Sequence, residues 1–408
     1  MESMIVRQVR ATLETLAPPP AVGPLSVAAA FAFVPDPRRQ ASVQYPLAAL
    51  LSLAVAAILA NHSSVLAIAE WGRRQSRALL DELGLPGTTA PCQSTLQRLF
   101  RRLDPDAVSA ALSAAFAPAA APAPTARGGQ GVAIDGKAQR GRLQYQTGGS
   151  PVHALSAFTH DQGVVLAQEP IEQGADKAEA ELTVAPQLVA RIDWRGRVLT
   201  GDALFCQRTL CQQVVAAGGD YLLVVKENQP TLLRDIELLF DPPAAVRPPA
   251  LDDRRTARTI ECGHGRRQEI RSLVASTDLR GYLDWPGVDQ VFRVERTWQE
   301  HGQAKRQVRY GITSLPPAVG SAERLLALKR GHWSIENQLH RPKDVLLGED
   351  ASLVHAGTGP TILAMLRDTA ISLLHRAGVR TLTARLRGHA QHPQPAVALV
   401  CDPPPLHA

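Results

Sequence analysis

The chain has 408 residues, 45% of them hydrophobic and 20% charged, with a formal net charge of +6 and a pI of about 9.3. The length allows two or three domains around a large buried core, and the basic excess suits a polyanionic partner better than an acidic one. Five scattered cysteines argue against a disulfide framework and for a reducing compartment, and Cys206 and Cys211 lack the second Cys/His pair a zinc site needs.

The N-terminus, Met-Glu-Ser-Met-Ile-Val-Arg, lacks the basic-then-apolar layout of a signal peptide. Residues 1–30 read as an Ala- and Pro-rich arm. Residues 31–117 read as all-helical. Leu47 to Ala60 is the most apolar stretch, too short for a bilayer and suited to a buried core helix, so no membrane association is expected and a cytoplasmic protein is. Ser64–Leu83 carries apolar residues at helical spacing and Gly84 can stop it. Thr95–Arg102 is a further short helix, and Asp106 can cap the next, through Phe116. Residues 118–131, rich in Pro and Gly, read as a linker and domain boundary.

Strand signals follow. Val132–Asp135, His153–Thr159 and Gly163–Glu169 are predicted strands, with Asp161-Gln162-Gly163 as a hairpin turn. Ala178–Ile192 is helical with a possible break at Pro186. Arg197–Asp202 and Tyr221–Lys226 are strands, each followed by a helix, Cys206–Ala217 and Gln229–Phe240. This order predicts an α/β, ribonuclease H-like mixed sheet across 132–391. Residues of about 250–315 alternate like antiparallel strands and read as a β-rich insertion. Helical spacing returns at Ser321–Leu339 and Thr361–Ala377. The segment 392–408 is a Pro-rich tail, expected to be irregular.

Three acidic residues stand in contexts that suit chemistry on phosphodiesters. Asp135 closes an apolar run and precedes Gly136; it is either a ligand for a hard cation or an Asp-Gly turn residue. Asp202, in Val198-Leu199-Thr200-Gly201-Asp202, repeats the pattern, and its alternative is a helix N-cap. Glu336 lies three residues after Trp333 and four before His340, so the three share one helical face. His332, Asn337 and Lys343 flank it and are candidates to position a phosphate or to hold Glu336; Trp333 and His340 are candidate DNA contacts with them. Pro342 disfavours helix at Arg341 and predicts a disturbed segment there. Lys137 beside Asp135 is a candidate phosphate contact. Lys226 is a candidate for DNA phosphate, and Asn228 or Gln229 for a sugar or base edge, although Asn228 equally suits a helix cap. His264 and Arg266 form a cationic turn that contacts phosphate or is simply solvated. There is no Walker-type phosphate loop and no Gly-x-Ser-x-Gly elbow.

Taken together, Ala-Ile-Asp-Gly-Lys-x-x-Arg-Gly (133–141), Gly-Asp-Ala-x-x-Cys-Gln (201–207), Gly-Gly-Asp-Tyr-Leu-Leu-x-x-Lys-x-Asn-Gln (218–229), Gly-His-Gly-Arg (263–266) and His-Trp-x-Ile-Glu-Asn-x-Leu-His (332–340) resemble the H-repeat-associated group of DDE insertion-sequence transposases. Phe-x-Pro-Asp-Pro-Arg (33–38), Ala67-Ile68-Ala69-Glu70-Trp71 and Ser94-Thr95-Leu96-x-Arg98 resemble the N-terminal domain that accompanies the group. The resemblance implies Asp135, Asp202 and Glu336 as a carboxylate triad holding two Mg²⁺ ions, with Mn²⁺ able to substitute. It implies metal-dependent cleavage of double-stranded DNA at element terminal repeats, then strand transfer into target DNA, by a homodimer on paired ends in the bacterial cytoplasm. One stretch departs from the pattern: Arg341-Pro342-Lys343 stands between His340 and Asp344-Val345. Related transposases outside the group place a Lys seven residues after the Glu, and Lys343 matches that. Two other readings remain, a decayed or domesticated DNA-binding protein and a host nuclease that cuts without joining.

Overall fold

The computed structural model describes residues 25–85, 87, 89–116, 128–139, 153–171, 177–243, 253–262, 268–300 and 303–402. His264 and Arg266, and most of the 118–131 linker, lie outside the described residues. Helices come first: α1 (Val27–Phe31), α2 (Leu47–Leu59), α3 (Val65–Arg73), α4 (Arg77–Glu82), α5 (Gln93–Phe100) and α6 (Pro105–Phe116). Helix α2 is buried on every side apart from Ala48, which is why its sequence is apolar all round. Each of its sealed Leu and Ile side chains contributes about 1.5–3 kcal/mol.

Two expectations need correction here. The stretch Ser64–Leu83 is two helices, because Ser76 leaves helical geometry and its side chain caps α4 by accepting from Leu79 N–H. The residue that caps α6 is Asp104, which accepts from Asp106 N–H at 2.9 Å; Asp106 sits inside the first turn, behind Pro105.

Nine strands among the described residues form one sheet in the order β3-β2-β1-β4-β5-β9-β8-β7-β6. They are β1 (Gln130–Ala138), β2 (His153–Thr159), β3 (Val165–Ile171), β4 (Arg197–Gly201), β5 (Asp220–Val225), β6 (Arg255–Cys262), β7 (Gln268–Ser276), β8 (Gln290–Glu300) and β9 (Gln303–Thr313). Strands β1, β2 and β3 are an antiparallel meander, and β4 and β5 add parallel to β1. That is the ribonuclease H-like arrangement. The helices between its strands are α7 (Lys177–Ala190), α8 (Arg208–Ala216) and α9 (Pro230–Phe240); α7 runs on through Pro186 without a break. The β-rich insertion extends this same sheet, since β9 pairs antiparallel with β5.

The sheet separates two apolar layers. Val132, Ile134, Leu199 and Leu223 face α7, α8 and α9. The opposite face divides between two clusters. In one, Val198, Leu222, Leu273 and Phe292 lie under α10 (Ala322–Gly331). In the other, Ala133 and Phe158 join the N-terminal helices and the C-terminal ones. These are α11 (Arg341–Val345), α12 (Gly359–Arg376), α13 (Leu382–Gln391) and α14 (Gln394–Cys401). The tail from His392 was expected to be irregular; instead α14 forms, because Pro395 falls in its first turn and Ala396, Val397 and Val400 are buried in that shared core.

The predicted helix Ser321–Leu339 is also interrupted. Helix α10 ends at Gly331, and Ile335–His340 is a single π-turn leading directly into α11. Pro342 therefore does not break the chain's helical path. It removes the N–H that would serve the Gln338 carbonyl four residues back, and His375 Nε2 lies 3.0 Å from that carbonyl oxygen, so a donor from α12 replaces the missing one.

Candidate active site

Strand β1 pairs with parallel β4 through Ala133 and Thr200. Asp135 and Asp202 are each two residues further on, so strand alternation puts both carboxylates on one face; Asp202 is one residue past the end of β4, while β1 runs on beyond Asp135 to Ala138 instead of ending there as predicted. The π-turn delivers Glu336 and His340 to this face. Asp135, Glu336 and His340 each offer a ligand atom, and these atoms lie within 4.8 Å of one another. His340 Nε2 is 3.5 Å from Asp135 Oδ2. His340 is buried, and neither of its ring nitrogens has a hydrogen-bond partner. An orphaned buried imidazole nitrogen aimed at two carboxylates fits a divalent cation, with Mn²⁺ accepting a nitrogen more readily than Mg²⁺.

Asp202 stands beside this group but outside it. Its side chain caps the short turn Ala203–Phe205 by accepting from Leu204 N–H at 2.9 Å. Of its two sequence readings the cap is the one seen, and the same residue lies within electrostatic reach of Asp135. Loss of hydration raises its pKa, opposed by the Leu204 N–H and Lys226 and aided by Asp135. Burial also works to raise the Asp135 pKa, but His340, His332 and the Gly136 N–H outweigh it and hold it low.

Other expected site residues take varied places. Trp333, Asn337 and Lys226 are exposed. Lys137 is paired with Asp344 at 2.5 Å, which ties the strand of Asp135 to α11. Asn228 Nδ2 donates to Ala203 O at 2.7 Å, and Gln229 Nε2 to Cys206 O at 3.0 Å. Both amides brace the turn that follows Asp202, so they do not reach for DNA here. Lys343 needs the same correction. It is 2% exposed, with Nζ 2.8 Å from Asp368 and 3.4 Å from Glu349. Its position, seven residues after Glu336, points inward because the i→i+5 bonds of the π-turn give less rotation per residue than an α-helix and so change the face on which Lys343 falls.

Two features escaped sequence reasoning. His340 is a wall of the carboxylate site rather than a DNA contact; its i+4 spacing from Glu336 was the available signal. Beneath the site, His160 Nε2 lies 2.8 Å from Thr200 Oγ1, and a Cβ at Gly131 or Gly331 would overlap its ring. No local pattern marks that contact. Burial, His332 and Arg324 push the His160 pKa down to about 3, and burial and Lys329 push that of His332 to about 4.

His160 is therefore neutral in the fold. Between pH 6.5 and 3 the unfolded chain takes up a proton that the folded one refuses, so its stabilisation is complete above 6.5 and drains as pH falls. The urea midpoint is expected to drop over that range. In His160→Gln, which retains a partner for Thr200 without titrating, the drop should be shallower. Parallel pH profiles would dismiss His160 as a source of acid sensitivity.

A ribonuclease H-like mixed sheet with Asp135 on β1 and Asp202 just past β4, opposed by the helical Glu336, defines the class of fold. Comparison with known proteins narrows it. Residues 126–373 match the transposase DDE domain, and residues 28–115 match the DDE-domain-associated region. Similar proteins include an "Uncharacterized protein in dhlA 3'region" of Xanthobacter autotrophicus, 32% identical over 70% of this chain and 92% of that protein. "Putative transposase YncI" of Escherichia coli O157:H7 is 29% identical over 84% and 85%. The "H repeat-associated putative transposase YhhI" of E. coli K12 is 26% identical over 85% and 91%. The chain belongs to the DDE transposase family, in the H-repeat-associated group. No helix among the described residues is long and apolar enough to cross a membrane.

Proposed function

We propose that this transposase cuts double-stranded DNA at the terminal repeats of its insertion element and joins the freed ends to target DNA, with Asp135, Asp202 and Glu336 as its metal-holding carboxylates. The observation that carries this reading is the convergence of Asp135, Glu336 and the unpartnered His340 on one point beside Asp202. Two Mg²⁺ ions, or Mn²⁺ in their place, would polarise the phosphoryl group and stabilise the attacking and leaving oxygens.

In the first step the oxygen of water bonds to phosphorus and the P–O3′ bond breaks, leaving a 3′-hydroxyl and a 5′-phosphate. In the second that 3′-hydroxyl attacks a target phosphodiester, whose own 3′ oxygen leaves. The protein's part is positioning. The Lys137–Asp344 pair fixes β1 against α11, and exposed Trp333 and Asn337 flank the opening toward DNA. A homodimer on paired ends in the bacterial cytoplasm, nucleoid-associated when on DNA, completes the reading. The accommodated Pro342 favours a working site over a decayed one.

The test uses the purified protein, a duplex of its own element end and a supercoiled plasmid, with Mg²⁺, Mn²⁺ or EDTA. Nicks at the element end and joined products should form with metal alone. Binding without cutting in either metal would sink the catalytic reading and leave a DNA-binding protein; cutting without joining would leave a nuclease. His340→Asn should raise the Mn²⁺ concentration for half-maximal cutting by about 10–100-fold, the usual effect of losing a residue that supports or supplements metal ligands. An unshifted metal titration would remove His340 from the site.

A further inference from the structure

The sheet face that carries Asp135 and α10 becomes cationic beyond the apolar patch under α10. Along β7 the residue two before Leu273 is Arg271, and along β8 the residue two after Val294 is Arg296. Arg271 and Arg296 are direct cross-strand partners. On β9, Arg309 is opposite Val294 and hence one diagonal step from Arg296. The C-terminal end of α10 adds Lys329 and Arg330. Lys226, at the end of β5, lies within electrostatic reach of both Lys329 and Asp202.

Like charges directly opposite in a sheet repel. Two carboxylates offset part of this: Glu269 pairs with Arg271 and Arg296, and Glu261 with Arg271 and Arg330. Among the described residues, no carboxylate pairs with Lys226, Arg309 or Lys329. Arg296 is held in place over Trp298, 4.6 Å from the ring centre. Burial and the surrounding Arg309, Arg271, Lys226 and Arg296 push the Lys329 pKa down to about 8. The folded protein thus holds a cation cluster that is short of anions, starting next to Asp202.

We propose that Lys226, Arg309 and Lys329, braced by Arg271 and Arg296, form a track for the phosphate backbone of the DNA duplex flanking the bond to be cut. Arg309, Arg296 and Arg271 lie on the adjacent strands β9, β8 and β7, which at about 4.8 Å spacing spread them over roughly 10 Å, wider than a single phosphate and suited to consecutive ones, with Lys226 one strand further on and Lys329 above them on α10. The track rests on the cleavage reading for what lies at its end, but binding along it needs no metal and is measured without any.

The experiment is fluorescence anisotropy with a labelled element-end duplex in EDTA, across KCl concentrations. Each phosphate contact contributes a slope of about −0.9 to log K against log salt. Lys226→Gln, Arg309→Gln and Lys329→Gln should each flatten the slope by about one, and the triple variant by about three. Arg195→Gln, on the turn before β4 and at the opposite end of that strand from Asp202, should leave it unchanged. Lys329→Gln should also raise Tm, because it removes one charge from a crowd of like charges, so loss of binding through unfolding would be visible. An unchanged slope in the triple variant would overturn the track and leave the cleavage reading standing. Failure of the wild-type protein to bind duplex DNA at all would overturn both.

Discussion

Glu336→Gln is expected to reduce metal-dependent nicking by roughly 10³-fold or more, with no change in Tm or in DNA binding measured in EDTA. The substitution keeps shape and removes charge. Glu336 is exposed, and exposed positions tolerate such changes within about ±0.5 kcal/mol. Lewis-acid stabilisation of a phosphoryl transition state is worth several kcal/mol, and every 1.36 kcal/mol is tenfold in rate. Asp135→Asn should reduce nicking alike, because its carboxylate shares the same point with Glu336 and His340. Asp202→Asn separates two roles. An amide oxygen can still accept from Leu204 N–H, so the cap survives while the charge is lost. Nicking by any of these variants within tenfold of wild type would remove that residue from the catalytic set.

Lys343→Met is expected to cost about 3–5 kcal/mol of stability, the usual result of leaving a buried charge without its partner. Lys343, Glu349, Arg367 and Asp368 are all at most 3% exposed. Lys343 touches Asp368 and Glu349, Arg367 approaches Glu349 at 3.8 Å, and Arg367 also donates to Ser63 O in the connection between α2 and α3. Burial opposes the Lys343 charge, yet Asp368 and Glu349 outweigh it and hold its pKa above the ordinary value. The cluster fastens α11, just after Glu336 and His340, to α12 and to the N-terminal region. Nicking should therefore weaken along with stability. Urea unfolding of Lys343→Met, Asp368→Leu and the double variant decides the matter. The double variant should recover much of the loss, because Arg367 and Glu349 still pair while no unpaired charge remains. A single-variant cost under 1 kcal/mol, or strictly additive losses, would show that the cluster contributes little to holding the helix.

Much of this molecule is legible in local patterning. The apolar runs that end in Asp135 and Asp202 predict strands because alternation and β-branching have a short period. The apolar stretch at 47–60 predicts a buried helix because no face of it is polar. Local patterning does not show the break at Ser76 and puts the cap of α6 at Asp106, two residues after Asp104, since capping depends on which residue leaves helical geometry first and several nearby polar residues can do so.

The candidate site was half legible. The identities of Asp135, Asp202 and Glu336 stand in the sequence, as does the four-residue step from Glu336 to His340. Whether Lys343 met DNA or the core was not, because a single π-turn changes which way every later side chain points. Pro342 looked like a break for a similar reason: the donor that compensates it, His375, is 33 residues away in sequence. The division of labour follows from range. Short-range patterns of polarity and backbone preference determined the elements, their order and which acidic residues they carry. Contacts between residues distant in the chain decided the rest. These are the parallel pairing of β1 with β4 that sets Asp135 beside Asp202, the π-turn that brings His340 to them, and the like-charged register of Arg271 and Arg296. Such pairings depend on how strands and helices meet, and no local stretch of sequence carries that information.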